Sequence, residues 1–296
     1  MLTRRAILQA AAIAAATRRL TYGAAPKMNT RAIPRTGEQL PVIGMGTWQT
    51  FDVDGTPPAL GDVITKLLDG GAKVIDSSPM YGKAEQATGD LLAKTGKLGA
   101  PFLATKVWIS GKQEGIDQMA RSMKRMRADV IDLMQVHNLV DVHTHLPVLR
   151  EMKAKGTIRY IGVTHYSHGQ FGEIEKLMKK EQLDFIQVPY SITDREVEKR
   201  ILPAAKDTGT AVLVMTPFES GGLFGQVRSK PVPKLATELG CTSWAQVFLK
   251  FLLGHPAVTC PIPATAKAEH VVDNLGAGFG PYPDESQRNA LAKLLG

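Results

Sequence analysis

The chain has 296 residues and a mass of 32.0 kDa, enough to bury a large core as one α/β barrel or as two smaller domains. Its formal charge of +8 is uneven: half of it comes from Arg4, Arg5, Arg18 and Arg19, in an opening segment without an acid. The mild excess that is left, with no arginine-rich helix or basic run interleaved with aromatics, weighs against nucleic-acid binding, and two cysteines, Cys241 and Cys260, are too few for a disulfide framework or a multi-cysteine zinc site.

Residues 1–25 read as a segment apart. Thr3-Arg4-Arg5-Ala6-Ile7-Leu8-Gln9 precedes an alanine-rich apolar run over residues 10–16, and Gly23-Ala24-Ala25 offers small residues where a signal peptidase would cut. The pattern resembles a twin-arginine export signal, which predicts delivery by the export machinery to the periplasm and a mature protein beginning near Pro26. The run is too short to remain as a membrane anchor. Arg18 and Arg19 just after it fit the alternative, an N-terminal extension on a cytoplasmic protein.

Residues 28–296 read as a single domain. Thr30 to Pro34, Thr36-Gly37-Glu38 and Leu40 to Gly44 form the pattern of a short β-hairpin leading into a first apolar strand. Strand-like runs recur at residues 42–45, 73–76, 102–107, 130–136, 158–164, 185–189, 211–216 and 258–261. Between them lie stretches with helical spacing, such as Val63-Ile64-Leu67-Leu68 and Ile174-Leu177-Met178. Eight strands, each followed by a helix, predict a (β/α)8 TIM barrel with an N-terminal β-hairpin. The connection over residues 217–240 is expected to be a loop over the top face, and little chain follows the helix expected from Glu285, so no long C-terminal lid is expected.

Ionisable residues close three successive strands. Val74 and Ile75 end in Asp76, followed by a loop that carries Tyr81; the third strand ends in Thr105-Lys106; the fourth ends in Val136-His137. Barrel enzymes keep their chemistry at this end. A tyrosine with a pKa of about 10 becomes a useful proton donor when a nearby cation favours the phenolate, and Lys106 is such a cation. Each residue alone has a plain structural reading: Asp76 as a helix cap, Lys106 as a snorkelling surface residue, His137 as a core imidazole, Tyr81 as packing. Their joint placement at strand ends is harder to explain that way.

Ile75-Asp76-Ser77 with Tyr81-Gly82, then Thr105-Lys106, then Val136-His137 together resemble the catalytic tetrad of the aldo-keto reductases, and the likeness extends to the hairpin and to Ile43-Gly44-Met45-Gly46-Thr47-Trp48. The resemblance implies an oxidoreductase that transfers hydride from NADPH, or from NADH, to the carbonyl of an aldehyde or ketone. Tyr81 would be the general acid, Lys106 would lower its pKa, Asp76 would hold Lys106, and His137 would steer the carbonyl.

By the same resemblance the nucleotide lies extended over the barrel top. Gln187, with Thr164 and His165, would bind the carboxamide, and Tyr190 would stack under the nicotinamide ring. Thr216, Pro217 and Phe218 would begin the loop that covers the pyrophosphate. Thr265, Lys267, Glu269 and Asn274 would hold the adenosine phosphate and adenine. Thr164-His165 stands where the family commonly has serine and asparagine, and Lys267 inclines the choice toward NADPH. Trp48 and Trp108 would line the substrate pocket, with Phe51 and Phe218 as weaker candidates.

Three other readings compete. His137, His143 and His145 suggest a metal-dependent barrel hydrolase, although the last two fall at an expected helix start. A non-catalytic nucleotide-binding barrel would have no need of a proton donor. A Schiff-base aldolase using Lys106 conflicts with Asp76, which would keep the amine protonated.

Overall fold

A computed structural model describes residues 27–295; the export-signal reading of residues 1–25 lies outside them. Short apolar runs with alternating inner and outer residues dictate the architecture. Strands β3 (Met45–Gly46), β4 (Val74–Asp76), β5 (Phe102–Val107), β6 (Ile131–His137), β7 (Ile158–Thr164), β8 (Phe185–Pro189), β9 (Ala211–Met215) and β10 (Cys260–Pro261) lie side by side in chain order, every neighbouring pair parallel. Gly46 bridges to Ala264, and the Gly44 N–H donates to the Pro261 carbonyl at 3.0 Å, so the two ends of the sheet meet. The result is a (β/α)8 barrel.

Helices α1 (Pro58–Asp69), α2 (Ala84–Lys94), α3 (Lys112–Arg125), α4 (Val142–Ala154), α5 (Phe171–Glu181) and α6 (Val197–Thr208) follow β3 to β8 in turn. After β9 come a 3-10 turn (Glu219–Gly221), α7 (Gly222–Val227), α8 (Lys234–Glu238) and α9 (Trp244–Leu253); α10 (Ala268–Gly276) and α11 (Glu285–Ala292) follow β10. The expected loop over residues 217–240 therefore holds two short helices. Leu223 and Val227, one helical turn apart, and Ala236 are buried and anchor them. No helix among the described residues is long and apolar enough to cross a membrane.

The period of two along each strand sorts side chains into two cores. Val74, Phe102, Leu133, Tyr160, Phe185 and Leu213 point into the barrel. Ile75, Val136, Val163, Ile186, Val188 and Val214 point outward under the helices. The antiparallel hairpin β1 (Thr30–Ala32) and β2 (Gln39–Pro41) adds Ile33 and Leu40 to the inner set, which closes the bottom of the barrel. The first barrel strand begins later than its apolar run predicts, because Val42 pairs back to Asn29 and Gly44 is used in closure. A side chain at Gly44 would overlap Val74 and crowd Ile262 and Cys260, so the seam favours glycine there.

Candidate active site

Above the apolar inner core the barrel is filled with polar side chains from the same inward-facing positions. Asp76, Lys106, Gln135, His137, Thr164 and Gln187 are all buried, and each sits near the C-terminal end of its strand. Lys106 Nζ donates to Asp76 Oδ2 at 2.7 Å and to the Ser77 carbonyl at 2.7 Å. Gln135 Nε2 donates to Asp76 Oδ1 at 3.1 Å and Gln187 Nε2 to Asp76 Oδ2 at 3.0 Å. The carboxylate thus has three donors, which offset the large cost of burying an ion pair. An ammonium has three protons. Two are used, and the same nitrogen lies 4.9 Å from the centre of the Tyr81 ring.

The loop carrying Tyr81 is tied down on both sides. The Asp52 carboxylate accepts from the Lys83 N–H at 2.9 Å, and Gly82 adopts φ +60 in a place where a side chain would overlap that carboxylate. Ser78 Oγ lies 3.0 Å from His137 Nδ1 and accepts from the Met80 N–H at 3.2 Å. The Tyr81 and His137 rings meet edge to face with centres 5.8 Å apart.

Burial raises the Tyr81 pKa above its usual value; Lys106 pulls the other way and Asp76 adds to the rise. The phenol is therefore protonated at neutral pH; Lys106 lowers its pKa, and burial outweighs that effect in the free protein. Burial opposes the Lys106 charge, yet Asp76 and Tyr81 outweigh it and raise its pKa. Burial lowers the His137 pKa to about 3, with Lys106 and His165 adding to the effect, so the imidazole is neutral. The arrangement offers a proton donor beside a fixed cation and a neutral imidazole.

The remaining sequence-predicted residues divide. Thr164 caps the inner face of β7, and its buried Oγ1 has no hydrogen-bond partner. His165 is half-buried, its Nδ1 accepting from the Ser167 N–H at 3.0 Å. Gln187 spends its amide on Asp76. Tyr190 has no exposed surface; it packs among the outer residues, near Phe251, and its hydroxyl sits between Glu198 and Arg288. That placement turns its ring away from the mouth, because Tyr190 follows Val188 on the outer face of β8. Thr216 is exposed with φ +53, Pro217 is buried, and Phe218 packs on Phe224 and Phe248. The Lys267 N–H donates to Thr265 Oγ1 at 3.1 Å just before α10, Glu269 is exposed in its first turn, and Asn274 is buried beside a cleft lined by Gly44, Pro263 and Thr265.

Trp48 and Trp108 are 44% and 42% exposed at the mouth, with Trp108 centred 6.3 Å from His137; Phe51 is wholly buried away from it. Gln118 brackets Trp108, accepting from its N–H at 2.6 Å and donating to its carbonyl at 3.2 Å. The three histidines of the metal reading do not converge. His143 is exposed, His145 is buried with Nε2 2.6 Å from the Ile109 carbonyl, and among the described residues no three His, Cys, Asp or Glu come together as ligands.

Four further residues belong to the site. Gln135 was readable from its spacing, two before His137 on the same strand face. Met215, two beyond the inward-facing Leu213, brings a half-buried thioether to the mouth by the same alternation. Ser78 and His270, whose Nδ1 lies 3.3 Å from Thr265 Oγ1, carried no local signal.

Residues 42–293 match the Aldo/keto reductase family. The chain belongs to the aldo/keto reductase family. Aldo-keto reductase YhdN of Bacillus subtilis is 31% identical over 218 residues, which cover 68% of this chain and 65% of that protein, just under two thirds of its length. An Escherichia coli protein named NADH-specific methylglyoxal reductase is 28% identical over 227 residues, 64% of this chain and 68% of that one. Among solved structures, an aldo/keto reductase from Klebsiella pneumoniae in complex with NADP and acetate superposes with a TM-score of 0.76 at 23% identity, covering 91% of this chain and 95% of the other. That likeness is one of fold.

Proposed function

We propose that this reductase transfers hydride from NADPH to the carbonyl of a small aldehyde or ketone, with Tyr81 as the proton donor. The observation that carries the reading is the Lys106 ammonium, buried, held by Asp76 and Ser77, and 4.9 Å from the Tyr81 ring at the barrel mouth. When bound, the reduced nicotinamide supplies hydride to the carbonyl carbon. Tyr81 gives its proton to the carbonyl oxygen as charge develops there, and the Lys106 ammonium stabilises the phenolate left behind. Asp76, fixed by Gln135 and Gln187, keeps Lys106 charged and in place. His137 stands beside Tyr81 to orient the oxygen.

The free residues suit the cofactor. Thr164 Oγ1 is a buried hydroxyl without a partner at the strand end, in the ladder row that joins His137 to Gln187, which suits the carboxamide. Met215, half-buried at the end of β9, would support the ring. The start of α10, with Thr265, Lys267 and His270, suits a phosphate, since backbone N–H groups and a cation act together there. Lys267 favours NADPH; the name of the E. coli relative supports NADH as the competing choice. The exposed faces of Trp48, Met80 and Trp108 form an open apolar mouth, which fits tolerance of varied aldehydes, methylglyoxal among them.

The test is oxidation of NADPH, and separately of NADH, against a panel of aldehydes and ketones, run beside Tyr81→Phe. The expected result is near-complete loss of turnover in the variant with the nucleotide still bound. Full turnover by Tyr81→Phe, or nucleotide binding without turnover on any carbonyl, would reject the reading, the latter in favour of a non-catalytic nucleotide-binding barrel. Residues 1–25 support a periplasmic location; recovery of only full-length chain from the cytoplasm would reject it.

A further inference from the structure

Ser78 is fully buried, two residues after Asp76 and three before Tyr81, and its hydroxyl meets two groups: the Met80 N–H at 3.2 Å and His137 Nδ1 at 3.0 Å. A hydroxyl has one proton and two lone pairs, and a neutral imidazole has one protonated and one bare nitrogen. Met80 takes a lone pair of Ser78. If Nδ1 carried the imidazole proton, it would take the second lone pair and strand the Ser78 proton in a buried place with no acceptor. That costs about 1–3 kcal/mol. If Nδ1 is bare, the Ser78 proton goes to it and both groups of this contact are satisfied. The proton of the ring then sits on Nε2.

We propose that Ser78 is a positioning residue that holds His137 as its Nε2–H tautomer, so that a neutral imidazole donates a hydrogen bond to the carbonyl oxygen that Tyr81 protonates. The inference rests on the reductase reading for its catalytic half and on hydrogen-bond accounting alone for the tautomer. The same hydroxyl binds the Met80 backbone, so the loop that carries Tyr81 and the imidazole on β6 are set by one group. The edge-to-face contact of the two rings, 5.8 Å between centres, keeps both turned to the same space. The tilted Trp108 ring is centred 6.3 Å from the imidazole. No proton needs to leave His137 during the reaction, because the imidazole orients the oxygen and Tyr81 supplies the proton.

The test reads the tautomer directly. In 15N-labelled wild-type protein at neutral pH, two-bond 1H–15N spectra should show His137 protonated at Nε2 and bare at Nδ1, the signal being assigned by its loss in His137→Asn. Ser78→Ala should mix the two tautomers and lower kcat about tenfold, as expected for about 1.4 kcal/mol of lost orientation. Its NADPH affinity should stay within about twofold, since no phosphate or carboxamide contact is touched. Ser78→Thr, which restores the hydroxyl, should recover the Nε2–H tautomer and most of kcat. A wild-type His137 protonated at Nδ1 overturns the inference whether or not the protein is active, and that measurement needs no variant to fold. A Ser78→Ala protein with unchanged tautomer and kcat overturns it as well. An Nε2–H imidazole in a wild-type protein that oxidises no NADPH overturns the reductase reading, and with it the catalytic half of the inference.

Discussion

The two sides of the barrel mouth differ in how completely their polar atoms are used. On the β4–β6 side, Asp76 accepts three hydrogen bonds, one of them from Gln187 across the barrel, Lys106 donates two, Ser78 joins His137 to the loop of Tyr81, and Gln135 Oε1 is left without a partner. On the β7–β9 side, Thr164 Oγ1 is buried without a partner and Met215 is half-buried. The first side is already organised for proton transfer before anything binds, whereas the second keeps spare capacity that a ligand can take up. A densely connected network resists change, while an unpaired hydroxyl at the strand end beside it marks where an outside group completes the structure.

The largest break in this comparison should come from Lys106→Met. It leaves Asp76 buried without its cation, which costs about 3–5 kcal/mol of stability, and it removes the charge that stabilises the phenolate, so turnover should fall about a thousandfold. Thermal unfolding and steady-state kinetics check both. Asp76→Asn in the same chain should restore much of the melting temperature and none of the turnover.

Tyr190→Phe should cost about 1–3 kcal/mol in denaturant unfolding, because Arg288 and Glu198 lose the hydroxyl between them. Nucleotide affinity should not change. If affinity falls with stability intact, Tyr190 reaches the nicotinamide after all. Thr164→Val should do the reverse: NADPH affinity drops about threefold to tenfold in a fluorescence titration, while the free protein melts no lower, because the removed hydroxyl had no partner to lose. A lower melting temperature with affinity unchanged would remove Thr164 from the site.

The last effect concerns pH. His137 is depressed to about 3 by burial, with Lys106 and His165 contributing, against 6.5 when unfolded. Below 6.5 the unfolded chain takes up the proton first, so stability present at neutral pH is lost as pH falls toward about 3. The slope is at most about 1.4 kcal/mol per pH unit for one proton. His137→Asn should flatten that slope by one proton, and the wild-type kcat/KM profile should show no inflection near 6.5.

Much of this site follows from the order of residues. Strand-end positions for Asp76, Lys106 and His137 are visible because each closes a short apolar run, and eight such runs with helical stretches between them imply the barrel. Gln135 was within reach of the same reasoning, being two residues from His137. Tyr190 shows where local pattern stops being sufficient. It lies three residues from Gln187, and an odd separation on a strand puts two side chains on opposite faces; that parity, with Arg288 arriving from a helix 98 residues away, sends the ring outward.

The chain alone therefore establishes a (β/α)8 barrel with an acid, a lysine, a tyrosine and a histidine at one mouth, since hydrophobic period and strand ends are local properties. Which atoms hold Asp76, which hydroxyl is left unpaired and which nitrogen of His137 faces Ser78 depend on residues 30 to 111 positions apart meeting at set distances. Those meetings arise only when barrel closure fixes the stagger of one strand against the next, and no local pattern encodes that stagger.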